Sequence, residues 1–198
     1  MYPIIGIVLR SSKSETNKDI DIVYKDIENA IIKSNGIPIG VVKENIDKYL
    51  DICKGFIFQG GDDIEEINLK SIKLLQEKNI PVLGICLGMQ EMAVCNNGEL
   101  YDIDNHLSNI LHEVKITKGT LLYDILKKDK ILVNTRHKSA VKETKLIISS
   151  VSKDYIIESV EDKNCKFFMG LQWHLENLYD IDPNSKKIFD YFINICNN

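Results

Sequence analysis

The sequence is poor in the features that mark several protein classes. Among 198 residues it has 4 prolines, 1 tryptophan and 5 cysteines. The cysteines are odd in number, lie far apart and form no CxxC pair. We therefore expect neither a disulfide framework nor a zinc site. This cysteine usage predicts a reducing compartment, the cytoplasm.

Strong charge imbalance and long apolar runs are also missing. The 25 basic and 29 acidic residues give a net charge of −4, which offers no general attraction for nucleic acid or for an anionic membrane. Residues 1–9 lack the basic start of a signal peptide, and no apolar segment approaches the length of a membrane span. We expect no nucleic-acid partner and no membrane association.

What the first half does contain is an alternation of strands and helices. Apolar, β-branched runs at residues 3–9, 37–42, 55–59 and 82–85 predict buried strands. Helical spacing of apolar residues predicts helices at 22–34 and 66–78, and residues 10–21 are predicted to be a polar loop. This order predicts an α/β fold with three layers: a doubly wound, mostly parallel sheet with helices on both faces.

The second half is dominated by short β-like runs. They lie at residues 113–117, 131–135, 145–151, 155–160 and 167–173, with a short helix at 121–127 and a terminal helix after Pro183. These runs predict an antiparallel extension of the sheet. Since no low-complexity linker and no internal repeat divides the chain, a single domain over residues 1–198 is predicted.

The chain is organised around the segment Gly84–Gly88, where an apolar strand runs abruptly into a helix-like pattern. Cys86 stands at the centre of this turn, with a glycine two positions away on each side. The pattern is typical of a nucleophile elbow, in which the flanking glycines remove side chains that would collide. A helix N-terminus below the sulfur also favours a thiolate. The alternative is a buried structural cysteine, which would not need the two glycines.

A cysteine nucleophile needs a base, and His174 is the best placed of four histidines. It follows an apolar strand-like run and stands two residues before Glu176. If this stretch stays extended, both side chains point to the same side, where the carboxylate can orient the imidazole. Gly60–Gly61 ends another strand, and its free amides can stabilise an oxyanion. The alternatives are an exposed polar pair and an ordinary turn.

Several motifs together resemble the class I glutamine amidotransferase-like superfamily. They are Gly84–Gln90, Gly60–Asp62 and Gln172–Glu176. Within that superfamily, Asn134–His137 and Pro3–Ile7 are most similar to the γ-glutamyl-γ-aminobutyrate hydrolases of the peptidase C26 group. The resemblance spans nearly the whole chain and implies a flavodoxin-like sheet.

The resemblance also implies roles for the motif residues. It gives a catalytic triad of Cys86, His174 and Glu176, with the oxyanion held by Leu87 and Gly60–Gly61. The implied reaction is cleavage of the γ-glutamyl C–N bond of a small γ-glutamyl amine or peptide, or of glutamine, through a γ-glutamyl thioester. No metal and no cofactor are needed for it.

Four further residues are implied to bind the α-amino and α-carboxylate groups of the γ-glutamyl substrate: Gln90, Thr135, Arg136 and His137. The alternative for Gln90 is an ordinary residue in the first turn of a helix, and the alternative for His137 is a residue of a solvated loop.

The sequence departs from the family pattern at several places. Leu87 stands where the hydrolases often carry arginine and is more typical of glutaminase domains, and Leu175 replaces the usual proline between histidine and glutamate. Lys138–Ser139 replaces a His-Gln-like pair. The segments after Asp63 and Tyr101 are shorter than in most relatives. Since these loops cover the leaving-group side of the site, the identity of the leaving amine is not determined by the resemblance.

Three functions remain open at this stage. The first is a freestanding amidohydrolase. The second is a glutaminase subunit that supplies ammonia to a separate synthetase, and the protein partner expected is such a synthetase or a second copy of the chain. The third is a non-catalytic, redox-sensing member with an exposed thiol at Cys86, although such relatives lack the downstream His-x-Glu pair.

Overall fold

The computed structural model describes residues 2–104, 106 and 110–197. Strands and helices alternate in the first half, and short strands dominate the second half. The strands are β1 (Ile4–Val8), β2 (Arg10–Lys13), β3 (Asp19–Ile22), β4 (Ile37–Val41), β5 (Gly55–Phe58), β6 (Val82–Ile85), β7 (Glu99–Asp102), β8 (Leu111–Ile116), β9 (Lys130–Asn134), β10 (Ser139–Glu143), β11 (Ile147–Ser152), β12 (Ile157–Glu161) and β13 (Phe168–Leu171). The helices are α1 (Lys25–Lys33), α2 (Glu66–Glu77), α3 (Leu87–Val94), α4 (Leu121–Leu126), α5 (Leu175–Leu178) and α6 (Pro183–Asn197), with a 3-10 helix over Lys43–Tyr49.

The main sheet has a parallel centre and an antiparallel side. Its parallel strands lie in the order β4-β1-β5-β6-β13. Beyond them β12, β11, β8 and β9 follow, each antiparallel to its neighbour, and β10 pairs antiparallel with both β12 and β7. The predicted α/β fold, with a mostly parallel central sheet and an antiparallel extension, is confirmed.

Helices cover both faces of the sheet because strand side chains alternate between them. In β5, Ile57 packs into the apolar cluster that contains residues of α1, α4 and α6. Its neighbours Phe56 and Phe58 pack into the opposite cluster, with residues of α2 and α3. The result is the predicted three-layer arrangement. The carboxyl ends of β5, β6 and β13 meet at one edge of the sheet, where ligands of such folds bind.

The prediction of a loop over residues 10–21 is wrong. Strands β2 and β3 pair there as an antiparallel hairpin, and Asn17 takes a left-handed conformation in its turn with φ of 58°. Strand β2 is entirely polar, and β3 alternates aspartate with isoleucine over only four residues, so the alternation signal is short and confined to one of the two strands. Ile22 belongs to β3, and the helix predicted from residue 22 therefore begins only at Lys25.

Strands β7 and β10 are also absent from the sequence-based prediction. They pair with each other, and β10 carries two charged residues at its end. The strands and helices that the sequence does predict are present, but they begin and end at slightly different residues from those predicted. Among the described residues, no helix combines the length and apolar character that crossing a membrane requires.

Candidate active site

Cys86 lies at the turn between β6 and α3. Its backbone has φ of 52° and ψ of −106°, a strained conformation for a residue with a side chain. A Cβ atom on Gly88 would lie 2.1 Å from the carbonyl oxygen of Phe58, and one on Gly84 would lie 2.7 Å from the carbonyl carbon of Gly88. Only glycine fits at both positions. The elbow therefore has the backbone geometry and the glycine requirement that the sequence predicts.

His174 and Glu176 are paired, but not on an extended strand as expected. Strand β13 ends at Leu171, and α5 begins at Leu175 directly after His174. The first helical turn brings Glu176 Oε1 to 2.7 Å from His174 Nδ1. Leu175, between them, is fully buried. Because Nδ1 faces the carboxylate and donates its proton to it, Nε2 is the nitrogen left for a reacting group.

The side chains of Cys86 and His174 converge above Gly60. A Cβ atom on Gly60 would lie 2.9 Å from His174 Cε1 and 3.7 Å from Cys86 Cβ. All three residues line one cavity of about 400 Å³. Burial lowers the pKa of His174, but hydrogen bonds and charge from Cys86 and Glu176 outweigh it and raise the pKa to about 9. Near neutral pH this geometry favours an imidazolium beside the sulfur.

The glycine loop next to Cys86 is held by a buried arginine. Arg10 donates from Nη2 to the carbonyl oxygen of Gln59, at 2.8 Å, and forms a two-armed ion pair with Glu91, with both distances 3.1 Å. Burial raises the pKa of Glu91 and the charge of Arg10 opposes this rise. Gly60 and Gly61 line the cavity, and Leu87 opens α3, so its N–H has no intrahelical acceptor.

The residues predicted to bind substrate divide into two groups. Gln90, Arg136 and His137 line the cavity with Cys86, and Arg136 is exposed with Nη2 3.5 Å from His174 Nε2. Gln90 is buried, not a plain surface residue, and donates to the carbonyl oxygen of Ser139 at 2.8 Å. Thr135 is not among the lining residues, because its hydroxyl donates to the carbonyl oxygen of His106 at 2.9 Å.

Comparison with known proteins decides the family. The Peptidase C26 family model matches residues 65–176, more than half of the chain. The chain belongs to the peptidase C26 family. It is therefore a glutamine amidotransferase-like hydrolase that acts on amide bonds.

Individual relatives agree with this placement. The chain is 29% identical to protein NtpR of Enterococcus hirae, over 98% of this chain and 99% of that one. It is 24% identical to the γ-glutamyl-γ-aminobutyrate hydrolase PuuD of Escherichia coli K12, over 98% of this chain and 93% of the other. Among solved structures, the CTPS glutaminase domain of Trypanosoma brucei with bound acivicin has a TM-score of 0.72 at 18% identity, covering 98% of this chain and 94% of that one.

Two further contacts in this C26 chain are not predicted from the sequence. Gln172 Nε2 lies 3.6 Å from Cys86 Sγ. Asn134 holds the backbone of His174 from both sides, accepting from its N–H at 2.8 Å and donating to its carbonyl oxygen at 3.0 Å. Both residues belong to the motifs that carry the family resemblance, so the sequence does mark these positions. Their contacts with Cys86 and His174, however, depend on where the chain turns at the ends of β9 and β13.

A second polar cluster lies behind the cavity wall of this C26 chain, around the fully buried Glu158. His112 Nε2 lies 3.1 Å from Glu158 Oε1, and His106 Nδ1 lies 3.8 Å from the same oxygen. His137 joins the cluster, with Nε2 3.2 Å from His106 Nδ1. Burial lowers the pKa of His137, the charge of Glu158 raises it, and the neighbouring histidines lower it further. Histidine and carboxylate donors of this kind can hold a metal ion, which the cysteine pattern alone does not indicate.

Proposed function

We propose that this C26 hydrolase is a cysteine-dependent amidohydrolase that cleaves the γ-glutamyl C–N bond of a small γ-glutamyl amine or peptide, or of glutamine. The observation that carries the proposal is the convergence of Cys86 and His174 over Gly60, with Glu176 Oε1 2.7 Å from His174 Nδ1. The likeness to γ-glutamyl-γ-aminobutyrate hydrolase over almost the full chain supports the substrate class. We treat residues 1–198 as one catalytic domain.

In the proposed mechanism, Cys86 Sγ attacks the γ-carbonyl carbon of the substrate. Before the attack His174 has taken the thiol proton and is an imidazolium, and on attack the carbonyl oxygen becomes an oxyanion bonded by the N–H of Leu87 and the amides of Gly60–Gly61. When the tetrahedral intermediate collapses, the C–N bond breaks and His174 gives its proton to the departing amine. The neutral His174 then takes a proton from the attacking water, the thioester C–S bond breaks, glutamate is released, and the imidazolium beside the sulfur is restored.

The substrate's charged end is assigned to the outer part of the cavity. We place its α-carboxylate on the exposed guanidinium of Arg136 and its α-amino group near Gln90. His137 also lines this cavity, whereas Thr135 does not and is assigned no direct contact with the substrate. Arg136 also lies beside His174 Nε2, so binding of a carboxylate there neutralises a positive charge next to the base.

The second candidate keeps the chemistry but changes the product's destination. A glutaminase subunit would pass ammonia to a separate synthetase. A protein named CTP synthase from Nautilia profundicola is 28% identical over 76% of this chain and 37% of that one. Leu87 favours this candidate. A second copy of the chain is the other partner considered. All five cysteines are free, in keeping with the proposed cytoplasmic location.

The test is glutamate release from a panel of γ-glutamyl amines, γ-glutamyl peptides and glutamine, with wild-type protein and Cys86→Ala. We expect turnover of at least one γ-glutamyl substrate, abolished in Cys86→Ala while the circular dichroism spectrum is unchanged. Turnover retained by Cys86→Ala would overturn the mechanism. Stimulation of glutamine hydrolysis by a co-purifying synthetase would decide for the second candidate.

A further inference from the structure

We propose that His106, His112 and Glu158 bind one divalent transition-metal ion of the zinc class, at a site separate from Cys86 and His174. His112 lies on β8 and Glu158 on β12, and their ligand atoms and that of His106 all lie within 4.8 Å of one another. The site goes beyond the proposed amide hydrolysis, which uses no metal.

The distances between the donor atoms fit a tetrahedral ion. With metal–ligand bonds of about 2.0–2.1 Å, the edges of such a tetrahedron are about 3.3 Å long. His112 Nε2 and His106 Nδ1 lie 3.1 and 3.8 Å from Glu158 Oε1. His137 Nε2 lies 3.2 Å from His106 Nδ1 and 3.9 Å from Glu158 Oε1. It therefore stands near the fourth position, which it or a water molecule can fill after a small movement.

Outer hydrogen bonds set the histidine nitrogens for metal binding. Asp154 Oδ2 lies 3.1 Å from His106 Nε2, so this nitrogen donates its proton outward and Nδ1 is left with a lone pair. The carbonyl oxygen of Ser139 lies 3.0 Å from His137 Nδ1 and has the same effect on Nε2. A carboxylate or carbonyl behind a ligating imidazole is the usual outer arrangement of protein metal sites, and His106 and His137 have it, whereas His112 Nδ1 has no hydrogen-bond partner among the described residues.

The charge of Glu158 also calls for a cation. Its side chain is fully buried, and Oε2 has no hydrogen-bond partner within residues 2–104, 106 and 110–197. In the same part of the chain, its ion-pair contacts are with histidines. A buried carboxylate with an unpaired oxygen is costly, and a metal ion bound by neutral imidazoles removes that cost. The imidazole and carboxylate donors suit zinc or cobalt rather than copper(I), which prefers sulfur.

The experiment measures binding of Zn²⁺ by calorimetry and of Co²⁺ by absorption, on the full chain after treatment with a chelator. We expect one equivalent of each metal and the visible absorption of tetrahedral Co²⁺. His112→Ala and Glu158→Gln should each weaken binding more than about 100-fold, because changes behind the ligands alone cost about 10- to 100-fold. His174→Ala and Cys86→Ala are the matched controls and should bind as the wild type does.

Three results would overturn the proposal: no stoichiometric binding, binding unchanged in His112→Ala, or binding lost in His174→Ala or Cys86→Ala. The last result would place the metal on the catalytic pair. The His112 side chain is 22% exposed, so His112→Ala decides the question if Glu158→Gln fails to fold. Absence of binding with an intact fold would identify the cluster as a hydrogen-bonded network only.

Discussion

Replacing Glu176 by glutamine separates the charge of this side chain from its shape. In the wild type, burial lowers the pKa of His174, while hydrogen bonds and charge from Cys86 and Glu176 raise it from 6.5 to about 9. The amide retains an oxygen that can face His174 Nδ1, but it removes the negative charge. We expect the pKa of His174 to fall toward 6.5. Since the imidazolium must protonate the departing amine, the alkaline side of the pH–rate profile should move with it.

The size of the effect follows from the fraction of His174 that is protonated. With a pKa of about 9, about 90% is protonated at pH 8, whereas a pKa of 6.5 leaves about 3%. A full return therefore reduces kcat/KM by about 30-fold at pH 8, and by less than about 2-fold at pH 6. Cys86 still raises the pKa in the variant and burial still lowers it, so about 30-fold is the loss for a pKa that returns to 6.5.

The assay is kcat/KM for glutamate release between pH 5.5 and pH 10, with Glu99→Gln as the control. Glu99 is an exposed glutamate on β7 whose partner is Lys142, and its replacement should leave the profile unchanged. A Glu176→Gln profile that is lowered equally at every pH would refute the reasoning. It would mean that Glu176 only orients the ring or that another group titrates.

Three further predictions concern stability and are measured by urea denaturation. The raised pKa of His174 stabilises the fold below pH 6.5, and this contribution is lost as pH rises through about 9. Glu176→Gln should therefore lower the free energy of unfolding most at pH 6 and less at pH 10. Gly88→Ala should cost about 3 kcal/mol, because its methyl group would meet a backbone carbonyl oxygen at 2.1 Å. Arg10→Leu should cost about 3–5 kcal/mol, because it leaves the buried Glu91 without a cation.

Each of these predictions has its own control. Gly40→Ala places its methyl 3.0 Å from a movable Leu9 methyl, so it should cost far less than Gly88→Ala, and equal costs would contradict the close approach at the elbow. Adding Glu91→Leu to Arg10→Leu should restore most of the stability. A double variant as unstable as the single one would mean that Arg10 acts through the Gln59 carbonyl alone. An equal loss for Glu176→Gln at both pH values would contradict the His174 pKa.

Local chemistry explains which parts of the molecule the sequence predicts. The elbow at Cys86 depends on neighbours within two residues, so its glycines indicate it directly. The His174–Glu176 pair is also local, and it forms although the backbone is a helical turn and not the extended strand expected. The β2–β3 hairpin escapes prediction because β2 is entirely polar and the alternation of aspartate and isoleucine in β3 extends over only four residues.

The histidine cluster cannot be read from the sequence for a different reason. Its members, His106, His112, His137 and Glu158, are spread over more than 50 residues. His112 on β8 and Glu158 on β12 are brought together by pairing through β11, and His106 and His137 come from the segments before β8 and after β9. Spacing rules for metal ligands apply to residues close in the chain, and no such rule covers this set. The same holds for Arg10 and Glu91, which come together across the loop between β5 and α2.

The most direct test of the central claim, that Cys86 is the nucleophile, is covalent labelling with a glutamine-analogue electrophile followed by peptide mapping. Burial raises the pKa of Cys95 and Cys165 to about 11, so these partly exposed thiols should react slowly near neutral pH. We predict one adduct per chain, on Cys86, with loss of glutamate release in step with labelling and protection by substrate. Full inactivation with Cys86 unlabelled, or labelling of Cys86 without loss of activity, would contradict the account.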